Sequence, residues 1–366
     1  MKKLFLTGIL VGLSLVSCTP DAESIAVESR VGSLPLFPIE PDNNITTTEK
    51  VALGRTLFWD PIMSGNKDVA CATCHHPNNA YADNLPISVG VLGQGLAEDR
   101  TGPIFALRNS PTVLNSGYIG IDSEGDYDPS NTALFWDSRA KSLEEQALGP
   151  LDSQTEMRGD VFAPGTAVDS VVARLNKIQE YKTLFASAFG TEEINGERIG
   201  KAIAAFERTL TSNNSRFDRY ARGDDSALNA EEIRGLQAFN ASKCNECHSG
   251  PMFSDFKLHN LGVVNNDVAN PNDNGNGQNM FRTPPLRNVA LTAPYMHSGV
   301  EGTLEEAVGF YDRVDKSLDP DLEKLNLDDS NQDAIVAFLK TLTDEDFDRT
   351  IPTSVPSGLN PGGNIE

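Results

Sequence analysis

Cys71-Ala72-Thr73-Cys74-His75 decides how this chain is read, because the same pattern returns at Cys244-Asn245-Glu246-Cys247-His248. Cys-x-x-Cys-His is the attachment signature of a c-type haem: two thiols add to the porphyrin vinyl groups, and the adjoining imidazole ligates the iron. Two copies imply two covalently bound haem c groups, held by Cys71, Cys74, Cys244 and Cys247, with His75 and His248 on the irons. A zinc site is the other common use of paired cysteines, but its pairs lie about 15–20 residues apart, and Cys74 and Cys244 stand in different halves of the chain. A thioredoxin-like redox pair needs neither the histidine nor the duplication.

Length and charge narrow the reading further. A chain of 366 residues holds one large domain or two of ordinary size, and two haem motifs favour two. Met1-Lys2-Lys3 followed by the apolar run Leu4 to Val16 reads as a secretion signal, too short to span a bilayer. It closes in Leu15-Val16-Ser17-Cys18, which resembles the bacterial lipobox, in which the cysteine becomes the lipidated first residue; plain cleavage that discards Cys18 is the alternative. Covalent haem c is assembled outside the cytoplasm, so a periplasmic, lipid-anchored protein is expected. The net charge of −22 argues against nucleic acid and against electrostatic binding to anionic lipid, which leaves the anchor as the only membrane contact. A basic redox partner is compatible with it.

The expected fold class is mostly α, two cytochrome c-like haem domains with long loops. The signal covers 1–18, a polar, proline-bearing tether 19–44, the first haem domain 45–220, the second 221–345, and a flexible Pro/Gly-rich tail 346–366. Helices are expected from Thr47 or Thr48 through Trp59, over 168–176, 181–189 and 197–210, and over 330–342, where apolar residues recur at helical spacing. Ser142 with Glu145 and Thr303 with Glu306 read as capping boxes, and Asn229 as the cap of the helix that delivers Cys244. The stretch from Pro77 to Thr132 reads as loops around a haem edge. Asn265 to Met280, crowded with Asn, Asp and Gly, reads as a solvated surface loop rather than a cation site, because its spacing does not match an EF-hand. The acidic insertion from Asp122 to Asn131 has no assigned role.

The sixth position on each iron decides the chemistry: an internal ligand favours electron transfer, an open face lets peroxide bind. Of five histidines, His76, His259 and His297 remain, and His76 directly follows a proximal ligand, where local geometry keeps it off the opposite face. Met63 and Met157 have no motif context for ligation. The haem on His75 is therefore a candidate for an open distal side.

Several stretches resemble the family of bacterial dihaem cytochrome c peroxidases and the methylamine-utilisation enzyme MauG. They are Leu53-Gly54-Arg55-Thr56-Leu57-Phe58, Arg108-Asn109-Ser110-Pro111-Thr112, Phe135-Trp136-Asp137-Ser138-Arg139, Glu145-Gln146-Ala147-Leu148-Gly149-Pro150, Glu156-Met157, and the run from Leu286 to His297. The resemblance implies that Glu156 moves a proton between the peroxide oxygens, that Gln146 and Pro150 line its pocket, and that Trp136 carries an electron between the haems. It also implies an interdomain Ca²⁺ on Asn109, Thr292 and Pro294, oxygen ligands suited to a hard cation. Two departures set the subtype. Other members carry a histidine just before the Asn-x-Pro-Thr stretch that ligates the resting first haem, and Ala97 to Leu107 holds none. Those members also place a methionine at a set distance after the histidine ending the Ala-Pro-Tyr stretch; counted from His297, that distance lands on Tyr311, where MauG has a tyrosine. Tyr311 is thus the expected distal ligand of the second haem, with Met252, Met280 and Met296 as alternatives.

The reading is a dihaem peroxidase in which hydrogen peroxide reacts at the haem on His75 and the haem on His248 relays or stores oxidising equivalents. Electrons return from a small redox protein, a cytochrome c or a cupredoxin, or from an oxidisable side chain of a substrate protein, the MauG-like outcome. A dihaem carrier with no enzymatic activity is the rival.

Overall fold

The computed structural model describes residues 32–319, 322 and 329–366, so Cys18 and the secretion signal lie outside the described residues. The chain is mostly helical: α1 (Thr48–Trp59), α2 (Cys71–Cys74), α3 (Leu143–Gln146), α4 (Gly149–Asp152), α5 (Ala167–Leu175), α6 (Gln179–Phe189), α7 (Gly196–Arg208), α8 (Arg216–Ala221), α9 (Ala230–Ala241), α10 (Cys244–Cys247), α11 (Leu304–Phe310) and α12 (Asp329–Lys340). Strands β1 (Leu258–His259) and β2 (Phe281–Arg282) pair antiparallel, with Leu258 opposite Arg282. Among the described residues no helix is long and apolar enough to cross a membrane.

Capping places the helices that lead into the motifs. Thr47 accepts the Lys50 N–H at the start of α1, and Asn229 and Glu232 exchange hydrogen bonds at the start of α9. Each closes off N–H groups that the first turn leaves without partners. The Thr303–Glu306 box forms at α11. At α3 the reciprocal box does not: Ser142 accepts the Glu145 N–H, but the Glu145 carboxylate takes the Lys141 N–H, one residue earlier.

Both halves repeat one helix crossing. On α1, a Cβ on Gly54 would run into the Ala202 carbonyl and the Phe206 side chain of α7; on α9, a Cβ on Gly235 would run into the Ala334 carbonyl and the Phe338 side chain of α12. Glycine lets two helix backbones touch where any side chain would hold them apart. Around the first crossing gathers a core containing Leu53, Leu57, Phe58, Ile203 and Phe206, and around the second one containing Phe217, Phe239, Phe253 and Phe338. The described residues from 32 onward pack as one compact unit.

Two expectations about the chain ends are corrected. The described part of the tether, from residue 32, lies against the fold: Leu34 is buried, and the Pro35 carbonyl accepts from Tyr118 and Asn213. The tail expected to be flexible is docked on the first half. Phe347 and Val355 enter its core, Ser357 Oγ donates to buried Asp60 at 2.6 Å, and the N–H groups of Gly362 and Asn364 donate to Trp59 and Asp68 at 2.7 and 2.9 Å. Gly362 and Gly363 adopt positive φ, so the composition that suggested disorder serves a tight turn. The loop from Asn265 to Met280 is partly built in as well, since Asp273 is buried against Arg108.

Alanine has the higher helix propensity, yet Gly54→Ala and Gly235→Ala are each expected to destabilise the protein by roughly 1–3 kcal/mol through overpacking. Chemical denaturation checks this; an unchanged or raised midpoint would mean that the backbones are not in contact.

Candidate active site

α2 and α10 are single turns that carry the two motifs. In the first, the Ala70 N–H donates to Thr73 Oγ1 at 2.8 Å, and that hydroxyl donates to the Gly362 carbonyl at 2.7 Å, so the docked tail helps hold the motif. His75 Nδ1 lies 3.1 Å from the Tyr81 carbonyl, and His248 Nδ1 lies 2.9 Å from the Phe253 carbonyl. An Nδ1–H held by a carbonyl leaves Nε2 as the free donor to a metal and orients the ring. Burial pushes His75 down to about 4 and lowers His248, so both imidazoles are neutral, as ligands must be. It also pushes the Cys74 and Cys244 thiols up to about 12. Among the described residues no cluster gathers four cysteines.

A cavity of about 940 Å³ runs past both motifs and is lined by His75, His248 and mainly apolar side chains. Its wall, the two carbonyl-oriented histidines and the paired motif cysteines fit two haem c groups. Gln146, Pro150, Ser153 and Glu156 face the cavity on the side of the first motif. Glu156 sits in a π-helical turn, Gln154–Arg158, a geometry that re-aims a side chain. The turn is pinned from outside: the N–H groups of Gly65 and Val91 donate to the Met157 and Thr155 carbonyls at 2.7 and 3.2 Å, and Gly90 has no room for a Cβ against Thr155. Burial raises the Glu156 carboxyl, against the opposing pull of Arg139, a Ser153 hydrogen bond and Arg108.

The remaining histidines are committed elsewhere. His76 accepts the Asn78 N–H and packs edge-on to Trp59. His259 lies between Asp255 at 3.1 Å and Asp319 at 3.4 Å. His297 stacks on Phe281 at 3.6 Å and contacts Asn265 through Nε2 at 3.2 Å. Trp136 donates through Nε1 to the Asn109 carbonyl at 2.9 Å and lies edge-on to His297. Asn109 donates to the Leu85 and Pro294 carbonyls at 2.9 and 3.3 Å; Thr292 lines the same cavity, its hydroxyl turned to the Val289 carbonyl. Tyr311, just past α11, faces the cavity beside the second motif, its phenol kept protonated by burial and by the Cys244 and Cys247 sulfurs.

A family model described as di-haem cytochrome c peroxidase matches residues 48–226. The cytochrome c551 peroxidase of Nitrosomonas europaea is 35% identical over 98% of this chain and 97% of its own length. The chain belongs to the di-haem cytochrome c peroxidase family. The methylamine utilization protein MauG of Methylophilus methylotrophus, 34% identical over 82% of this chain and 84% of its own, lies within the same similarity. A crystal structure of a MauG-like protein associated with microbial copper homeostasis superposes with a TM-score of 0.70 at 30% identity, covering 86% of this chain and 94% of that one. As a family member the chain is an oxidoreductase of the di-haem peroxidase type.

Two cavity groups, Glu207 and Arg282, and the surroundings of His259 were not legible in the sequence. Glu207 on α7 is buried beside Cys71 and pushed up to about 8 by burial; it shares a helix with the apolar Ile203 and Phe206, and a single glutamate there carries no sequence sign of burial. Arg282 and His259 lie on the short β1–β2 pair, which has no periodic signal. The Asp255 carboxylate beside it holds His259 above the usual histidine range. A folded pKa above the unfolded value gives stability that is complete below about pH 6.5 and is lost as pH rises through the raised folded value. His259→Gln is therefore expected to flatten the decline of stability between those limits; denaturation curves across that range check it, and an unaltered slope would place the decline elsewhere.

Proposed function

We propose that this protein reduces hydrogen peroxide at the first motif and uses the second motif to relay or store oxidising equivalents. The observation that carries the reading is the commitment of His76, His259 and His297 to other partners, which leaves the pocket of Gln146, Pro150, Ser153 and Glu156 without an imidazole to close it. The haem on His75 would supply the iron at which the O–O bond breaks, and the haem on His248 a second site for an oxidising equivalent. Glu156 takes the proton from one peroxide oxygen and returns it to the other; burial raises its pKa toward the working range of such a group. Gln146 and Pro150 shape the pocket, and Trp136, hydrogen-bonded in the wall between the motifs, offers an oxidisable ring to the passing electron. Electrons come from a small redox protein.

Oxidation of a partner protein's side chain, as in MauG-like chemistry, is the second reading, favoured by Tyr311 beside the second motif. A phenolate ligand needs a metal ion to displace the proton that burial retains, and it favours ferric iron over the ferrous state that a thioether prefers. The proposal includes Ca²⁺ on Asn109, Thr292 and Pro294, for which the Asn109 amide has to turn its oxygen toward the Pro294 carbonyl. It also includes lipidation at Cys18 and a periplasmic location, supported by the basic and apolar start of the chain.

The test is to add stoichiometric peroxide to the fully ferric protein and follow its spectrum. Prompt oxidation without prior reduction is expected, and Glu156→Gln should slow it by about 10²–10⁴-fold with both haems retained; a wholly low-spin, unresponsive protein would leave only a carrier of electrons. Tyr311→Phe should change the spectrum of the second haem, and an identical spectrum would return the ligand to Met252, Met280 or Met296.

A further inference from the structure

Arg282 on β2 is 6% exposed and lies on the wall of the cavity that serves both motifs. Its backbone N–H donates to the Trp136 carbonyl at 2.7 Å, and its Nε donates to the Phe135 carbonyl at 3.1 Å. Its Nη1 is buried without a hydrogen-bond partner. Among the described residues no carboxylate pairs with it. Arg108, Arg208 and Arg287 each have one, and the other buried arginines, Arg100 and Arg158, spread their N–H groups over backbone carbonyls with no buried nitrogen left over. Burial, with nothing opposing it, lowers this guanidinium to about 10.

A buried guanidinium needs a counter-charge or carbonyls on all its N–H groups, and Arg282 has neither at Nη1; the Phe256 ring 5.9 Å away does not repay the desolvation. The anion must arrive with whatever fills the cavity. Haem carries two carboxylates on one edge, and a planar fork of N–H donors matches a carboxylate. We propose that Arg282 anchors a carboxylate of a haem bound in this cavity and ties it to the backbone of Phe135 and Trp136. This rests on the two-haem reading. One side chain then sets the cofactor edge, its charge and its register with the tryptophan between the motifs.

The experiment is spectroelectrochemistry of the two-haem protein as wild type, Arg282→Gln and Arg282→Lys, with haem content measured first. Two haems per chain in the wild type test the two-haem reading by themselves. Losing a fixed positive charge favours ferric iron, so Arg282→Gln should lower the midpoint of one haem by about 59 mV, a tenfold change for one electron. That midpoint should also become more pH-dependent as the unpaired carboxylate titrates. Arg282→Lys, which keeps the charge but not the fork, should shift the same haem less and decides the matter if the glutamine variant does not accumulate. The haem that moves identifies which motif supplies the carboxylate. Two haems with midpoints and pH dependence matching wild type in the variants would overturn the anchor and leave the two-haem reading intact.

Discussion

Backbone contact between helices, at Gly54 on Ala202 and again at Gly235 on Ala334, is the constraint from which the rest follows. A covalently attached cofactor needs its two sulfurs and its imidazole in fixed relation, and one turn of helix cannot hold itself. Each crossing locks the helix that runs toward a motif against the last helix of its half. Around it the ring clusters of Phe58 with Phe206, and of Phe217, Phe239, Phe253 and Phe338, fill the core.

Polar groups join the halves. Arg108 bridges Asp137 and Asp273, and Asn288 donates to Ser212 while accepting from the Asp344 N–H. Arg282 reaches across to Phe135 and Trp136. Buried pairs of this kind are poor sources of net stability but demanding in geometry. They fix the separation and tilt of two motifs that face one cavity. The docked tail adds a clamp from outside, holding Thr73 of the first motif through Gly362 and the end of α1 through Trp59 and Asp60.

Family membership and the arrangement of the cavity meet at Glu156. Its carboxyl owes its raised pKa to burial and its direction to a π-helical turn that Gly65, Gly90 and Val91 hold from neighbouring loops. The carboxylate proposed as the acid–base group and the loops that aim it thus come from separate parts of the chain.

By itself the sequence determined the two attachment motifs, the mostly helical class, the principal helices with their Thr47 and Asn229 caps, and the likeness to the dihaem peroxidases. These are local: a cap, a Cys-x-x-Cys-His run and a 3.6-residue apolar period are each written within a few residues. Only the tertiary structure decided that the chain's end folds back as a clamp, that His259 is held between two aspartates, that Glu207 is buried, and that Arg282 enters the cavity with no carboxylate beside it among the described residues. Such facts depend on which distant residues remove a group from water. A Pro/Gly-rich tail, a lone arginine and a glutamate on an amphipathic helix read the same exposed or buried, and packing alone tells them apart.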